Sequence, residues 1–219
     1  PPLIASSSSA LPSTSQSRYT RRMTAALKLP TFDDLYAEIA ALPEGVTGEI
    51  LEPGVLRTMS RPGKRHRSAA KNGYLSLRDF DAGAQGRGWW IEIEPEIRLG
   101  DRLVVPDLAG WRVERVPELP DENPLTLVPD WTCEVLSPST QRDDRVIKLP
   151  LYAREGVAHV WLVDPALRAV EVYEAERKRP LLAQTATDGD TLVLAPFGEP
   201  VTLTALWVPT SSAGSTFRA

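Results

Sequence analysis

Cysteine occurs once in this 219-residue chain, at Cys133, so no disulfide can close within it and a zinc site of several thiolates is excluded. Histidine occurs twice, at His66 and His159, too rarely for a histidine-rich metal centre. No apolar run approaches the roughly 18 residues that a bilayer-spanning helix needs, so the expectation is no membrane partner. A global excess of positive charge is also missing: 25 Lys and Arg stand against 29 Asp and Glu, a net charge of −4. Proteins that grip nucleic acid usually show the opposite balance, so any such role must rest on local clusters. What remains is a composition of 42% hydrophobic and 25% charged residues, enough for one substantial core in a water-soluble chain. A lone thiol fits the reducing cytoplasm.

The ends read differently from the middle. Residues 1–22 are rich in Ser and Pro, carry no acid and show no periodicity; they read as a disordered leader, with Met23 a candidate start. Residues 209–219 read as a flexible tail, leaving a single domain over 23–208. Within it, Phe32, Leu35, Ile39 and Leu42 recur at helical spacing behind a capping Thr31, with Asp33 and Asp34 in the first turn. "GEILEPGVLRTM" reads as two strands around Pro53-Gly54, and "RSAAKNGYLSLRDF" as a helix weakened by Gly73. In "WWIEIEPEIRL", Ile91, Ile93, Ile97 and Leu99 alternate with Glu92, Glu94, Glu96 and Arg98, the pattern of one half-exposed strand. "RLVVPDLAGW" and "DWTCEVLS" supply further strands. A helix is expected to open on a capping box at Thr140-x-x-Asp143 and to close at Gly156. More strands follow on either side of Asp164-Pro165 and beyond. The class is α+β, a mixed α/β arrangement.

The chemistry gathers around two acids. Asp107 ends one strand and Glu134 interrupts another apolar one, 27 residues later. A carboxylate in mid-strand is costly to bury without compensation. If the two strands are neighbours, the acids share one locus, where they repel unless a cation lies between them. Carboxylate oxygens suit Mg²⁺ or Mn²⁺, which leave positions for water and phosphate. On the following helix, Asp144, Lys148 and Tyr152 recur every four residues and share a face. Two carboxylates, a metal and a lysine suffice for phosphodiester hydrolysis. Separately, Arg57, Arg61, Lys64, Arg65, Arg67 and Lys71 form a run without any acid, the best candidate for DNA phosphate contacts, with Lys64, Arg65, Arg67 and Lys71 foremost.

The ordered series "VPDLAGW", "CEVLSPST", Lys148, Tyr152, "WLVDP" and "VEVY" resembles the Uma family of prokaryotic restriction endonucleases, within the PD-(D/E)xK nuclease superfamily. The resemblance runs from about Thr31 to Leu206. It implies a restriction-endonuclease-like core, a central mixed β-sheet flanked by helices, and a Mg²⁺-dependent endonuclease acting on DNA. By the same resemblance Asp107 is the aspartate of the Pro-Asp pair and Glu134 the acid of the second half-motif. That half-motif's lysine position holds Leu136, and Lys148 on the adjacent helix is the matching candidate. Glu49 matches an additional acidic ligand, and His66 a histidine found after the Gly-Lys-Arg segment. Pro150, in the middle of the expected helix, departs from a regular run and puts the aim of Lys148 in question.

Plainer readings stand beside these. Glu134 pairs with a core arginine; Lys148 bridges Asp144 on a solvated face; Glu92, Glu94 and Glu96 are a solvated strand face. His66 is a surface residue on a basic loop, and His159 a core or edge-strand histidine. Ser137 or Ser139 with His159 would make a serine hydrolase, although "LSPST" lacks the small-residue turn that exposes a nucleophile. A catalytically inactive relative that binds DNA or a protein is the main alternative to an enzyme. Double-strand cleavage would favour a homodimer.

Overall fold

The computed structural model describes residues 29–60, 63–188, 190–198 and 200–207. The expected leader, Met23, the tail and Arg61 lie outside them. Helix α1 (Phe32–Ala40) opens on a capping box: the Thr31 hydroxyl accepts from the Asp34 N–H and the Asp34 carboxylate accepts from the Thr31 N–H. Its apolar stripe of Phe32, Leu35 and Ile39 packs on Ile50 and Leu103. Gly48 permits the close approach, because a Cβ there would lie 2.5 Å from Ile39 Cγ1.

Strands β1 (Val46–Glu52) and β2 (Val55–Ser60) form the hairpin expected around Pro53-Gly54, and α2 (Lys64–Leu77) follows despite Gly73. The stretch read as one strand divides into β3 (Trp89–Ile93) and β4 (Ile97–Leu99). Glu94 between them has φ 50°, a left-handed turn that breaks the alternation and leaves Ile93 exposed. The two halves then enter different sheets. Strands β1, β2, β4 and β5 (Arg102–Val104) form one sheet in the order β2-β1-β5-β4.

The second sheet has six strands, in the order β10-β9-β8-β7-β6-β3, with β6 at Leu108–Arg112, β7 at Trp131–Val135, β8 at His159–Asp164, β9 at Ala169–Glu176 and β10 at Arg179–Thr187. Only β7 and β8 run parallel, which makes the sheet mixed as expected. A parallel pair needs a crossover, and the helical segment between them, α3, supplies it. It comprises an α-helical turn at Gln141–Asp143, a π-helical turn at Asp144–Lys148 and an α-helix at Leu149–Glu155. Strands β11 (Thr191–Val193) and β12 (Pro200–Thr202) pair beyond the sheet.

Two departures in α3 have physical reasons. Thr140 is in helical geometry and makes no cap bond to Asp143; its hydroxyl lies 2.9 Å from Ser137 Oγ instead. Pro150 does not break the segment. It falls in the first turn of the Leu149–Glu155 helix, where its missing N–H is tolerated, and Leu149 stays helical. The preceding π turn widens the ladder, so the Leu149 N–H reaches the Asp144 carbonyl. Gly156, at φ 103°, closes the helix as expected.

Period-two alternation in β7 decides which face each residue serves. Trp131, Cys133 and Val135 enter a core with Trp89, Trp161 and Phe197 on the α2 side. Glu134 points the other way, toward the α3 side, where Leu136, Leu149, Leu151 and Tyr152 pack with Trp111. Gly110 on β6 fits between two of these rings, with Trp131 and Trp89 atoms 3.1 and 3.2 Å from where a Cβ would stand.

Candidate active site

The antiparallel register of β6 and β7 sets Leu108 opposite Cys133, so Asp107 stands one step beyond, across from Glu134. The strands are neighbours, the condition on which the two acids share one place. Both line a cleft of about 920 Å³ together with Glu49, Asp144, Lys148 and His66. Glu49 comes from β1 of the other sheet, so both sheets contribute to the cleft.

Each acid is held by a different element. Asp107 Oδ2 accepts the Val135 N–H at 2.7 Å, and Oδ1 lies 3.3 Å from His66 Nε2, which reaches in from α2. Glu49 Oε1 accepts the Val105 N–H at 2.8 Å. Glu134 Oε1 accepts from the Tyr152 hydroxyl, and Oε2 accepts from Lys148 Nζ at 3.2 Å. Lys148 also lies 2.8 Å from Glu49 Oε1 and 3.5 Å from Asp144 Oδ1. These groups are almost fully enclosed: Glu49 is 1% exposed, Glu134 2% and Lys148 3%.

Burial and mutual repulsion set the protonation chemistry. Burial first, then Asp144, Asp107 and Glu49, drive the Glu134 carboxyl well above its usual range, against the pull of Lys148. Burial raises Asp144 to about 6, again opposed by Lys148. Burial alone would lower the Lys148 pKa, but Glu134, Glu49 and Asp144 outweigh it and hold the ammonium charged. His66 behaves likewise: burial would lower its pKa, and the bond to Asp107 lifts it above the usual imidazole value. Burial and Glu134 raise the Tyr152 hydroxyl, which stays a donor.

Several plainer readings fail here. Glu134 meets a lysine and a tyrosine rather than an arginine. Lys148 does bridge Asp144, but as a buried group among three acids. His66 sits within α2 and faces the cleft. Glu92 and Glu94 are exposed, as the solvated-face reading expects, although Glu94 also lines the cleft; Glu96 is half-buried and accepts from Tyr36 and Asn123. His159 pairs in register with Trp131 on the parallel strand. Ser137 lies six residues further along, roughly 20 Å at about 3.3 Å per residue, so no serine–histidine pair forms. Of the basic run, Lys64, Arg65 and Arg57 line the cleft, whereas Arg67 and Lys71 lie further along α2.

The sequence gives Tyr152 no role and Asp144 only that of a solvated partner for Lys148. Their four-residue spacing from Lys148 was the available signal. The His66–Asp107 contact had none, since it depends on how α2 docks.

Among the described residues, no three His, Cys, Asp or Glu side chains form a ready metal-ligand cluster. The charge balance nevertheless fits a divalent cation. Four buried carboxylates, Glu49, Asp107, Glu134 and Asp144, surround one buried lysine and one largely enclosed histidine. Oxygen donors in anionic excess suit a hard cation that completes its shell with water or phosphate oxygens.

A family model described as "Putative restriction endonuclease", Uma2, matches residues 31–205. A solved structure with the same fold is described as "a putative nuclease belonging to DUF820" from Anabaena variabilis; it is 21% identical, with a TM-score of 0.62 over 81% of this chain and 97% of that one. No curated protein matches the chain. No helix among the described residues is long and apolar enough to cross a membrane.

Proposed function

The chain belongs to the Uma2 family, and from that premise we propose that it is a metal-dependent DNA endonuclease whose lysine has moved from strand to helix. One observation carries this reading: Lys148, on the crossover helix, extends its ammonium back to Glu134 on β7. It reaches the carboxylate that a lysine at position 136, just past the end of that strand, would otherwise serve. Leu136 is free to pack in the core because the charge arrives from elsewhere.

Asp107 and Glu134 would hold Mg²⁺ or Mn²⁺, with Glu49 beside them. The bound ion would supply neutralisation of phosphate charge and a more acidic water. The protein's own groups do the rest. Val135 N–H and His66 fix the Asp107 carboxylate, and Tyr152 fixes one oxygen of Glu134. Lys148 carries a held positive charge at the cleft floor, where it can orient a water and stabilise charge developing on phosphate oxygens. Low exposure strengthens that interaction by excluding bulk solvent.

Lys64 and Arg65 at the rim are the first candidates for substrate phosphates, with Arg67 and Lys71 continuing along the helix. The reading is tested by incubating purified protein with supercoiled plasmid and with circular single-stranded DNA, in Mg²⁺, Mn²⁺ or EDTA. Metal-dependent nicking or linearisation that is lost in Asp107→Ala is the expected result. Intact DNA in every condition, with undiminished DNA binding, would favour a non-catalytic binding relative.

A further inference from the structure

We propose that the cleft admits one unpaired strand of DNA, led out along α2, and does not seat an intact duplex. The inference rests on the nuclease reading and names its substrate class. Its first ground is depth. The groups that must meet the scissile phosphate, Glu49, Glu134 and Lys148, are at most 3% exposed at the cleft floor. A phosphate on a stacked, paired duplex is held at the perimeter of a thick rod. One on an unpaired strand can be carried down by its flexible backbone.

The second ground is charge. The cleft is lined by six acids: Glu49, Glu94, Asp107, Glu134, Asp143 and Asp144. Arg57, on the lip formed by β2, is engaged by Asp143 at 2.6 Å and by Glu52 at 2.8 Å. Lys148 at the floor is likewise engaged by Glu49 and Glu134. The lining therefore keeps an acidic excess, which opposes the dense charge of a duplex more than the sparser charge of one strand. What it does offer is a single file of cations. Lys64 and Arg65 stand at the rim, and Lys64, Arg67 and Lys71 share one exposed face of α2 at helical spacing. That file covers about 10 Å at 1.5 Å per residue, the reach of a few phosphates on one backbone.

The third ground is Leu75, four residues beyond Lys71 on the same face and 54% exposed. An unpaired base has an open apolar face to lay against such a side chain, whereas a paired base is covered by its neighbours.

The test is fluorescence anisotropy in EDTA with three labelled probes: a single-stranded oligonucleotide, its blunt duplex, and the duplex with a single-stranded tail. Single-stranded and tailed probes should bind at least about tenfold more tightly than the blunt duplex. Their log affinity should fall with log salt by no more than about 3 units, four cations at roughly 0.7 each. Lys71→Ala and Leu75→Ser should each weaken the single strand several-fold and leave the blunt duplex unchanged. Equal affinity for blunt duplex and single strand, or variants that weaken both alike, would overturn the proposal. A cleavage assay on the same probes with Mn²⁺ separates the two claims. No cleavage of any probe, with the single-strand preference intact, defeats the nuclease reading and leaves this one standing. Cleavage of the blunt duplex as fast as the tailed one does the reverse.

Discussion

Lys148 Nζ lies nearer to Glu49 on β1, at 2.8 Å, than to Glu134 on β7, at 3.2 Å. The lysine therefore ties the two sheets together through the floor of the cleft, with Glu49 on one side and Glu134 on the other. A buried ammonium shared by three carboxylates is a structural element and a candidate catalytic one at once.

Removing it should show both roles. Lys148→Ala strands Glu49, Glu134 and Asp144 without their cation, and breaking a buried ion pair in this way costs about 3–5 kcal/mol. Urea unfolding at neutral pH should show that loss, and the deficit should shrink toward pH 5 as Glu134 and Asp144, whose carboxyls burial already raises, take up protons. DNA cleavage, assayed where the variant is still folded by circular dichroism, should fall at least about a hundredfold, worth about 2.7 kcal/mol of barrier. Lys148→Arg should not restore it, because a planar guanidinium replaces a compact ammonium in an enclosed site. A variant of wild-type stability and rate would leave Lys148 with neither a structural nor a catalytic role.

Asp107 and Glu134 separate charge from shape. Asp107→Asn keeps an oxygen to accept the Val135 N–H, and Glu134→Gln keeps one for Tyr152. Both should abolish cleavage and weaken Mn²⁺ binding by calorimetry. Asp107→Asn should stay near wild-type stability, whereas Asp107→Ala leaves the buried Val135 N–H unpaired at about 1–3 kcal/mol. Undiminished Mn²⁺ affinity in both amide variants would remove these residues from the metal assignment.

Tyr152→Phe retains the ring and deletes only the donor to Glu134. A hydrogen bond contributes about 0.5–1.5 kcal/mol, and up to about 3 kcal/mol to a charged group, so thermal or urea unfolding should report a loss within that span. Glu134 would then be held by Lys148 alone, and Mn²⁺ affinity should weaken several-fold with the overall fold unchanged by circular dichroism. An undisturbed affinity would mean that Tyr152 packs without positioning.

His159 gives a pH signature away from the cleft. Burial first, and Arg112 as well, hold its imidazole below the usual range against Glu174. A folded-state pKa below the unfolded one means that the native form binds fewer protons. Its contribution to stability is present above about pH 6.5 and is lost as the pH falls through the folded value. Wild-type protein should lose more stability between pH 7.5 and 5.5 than His159→Asn does, read from paired urea titrations. Parallel curves for the two proteins would contradict this.

The local patterns were legible without a structure. Thr31 before an apolar stripe, Pro53-Gly54 between two apolar runs, and Gly156 after a helical one act through backbone geometry within a few residues, and each appears where the sequence places it. The α+β class followed from that series, and the acids Asp107 and Glu134 stood out because a charged residue in or beside a buried strand demands a partner. Beyond that range, local rules misled. Alternation over Ile91 to Leu99 predicted one strand, and the left-handed turn at Glu94 made two in different sheets. Thr140 offered a cap and bonded Ser137 instead. Only the tertiary structure decided what Glu134 faces, because three contacts had to coincide. Alternation in β7 turns the carboxylate toward α3; the crossover between parallel strands brings Lys148 and Tyr152 over it; the packing of the β1 sheet delivers Glu49. Each contact spans many residues of sequence and depends on how whole elements dock. A sequence carries those long-range placements in the sum of its buried surfaces, not in any spacing between the residues that finally meet.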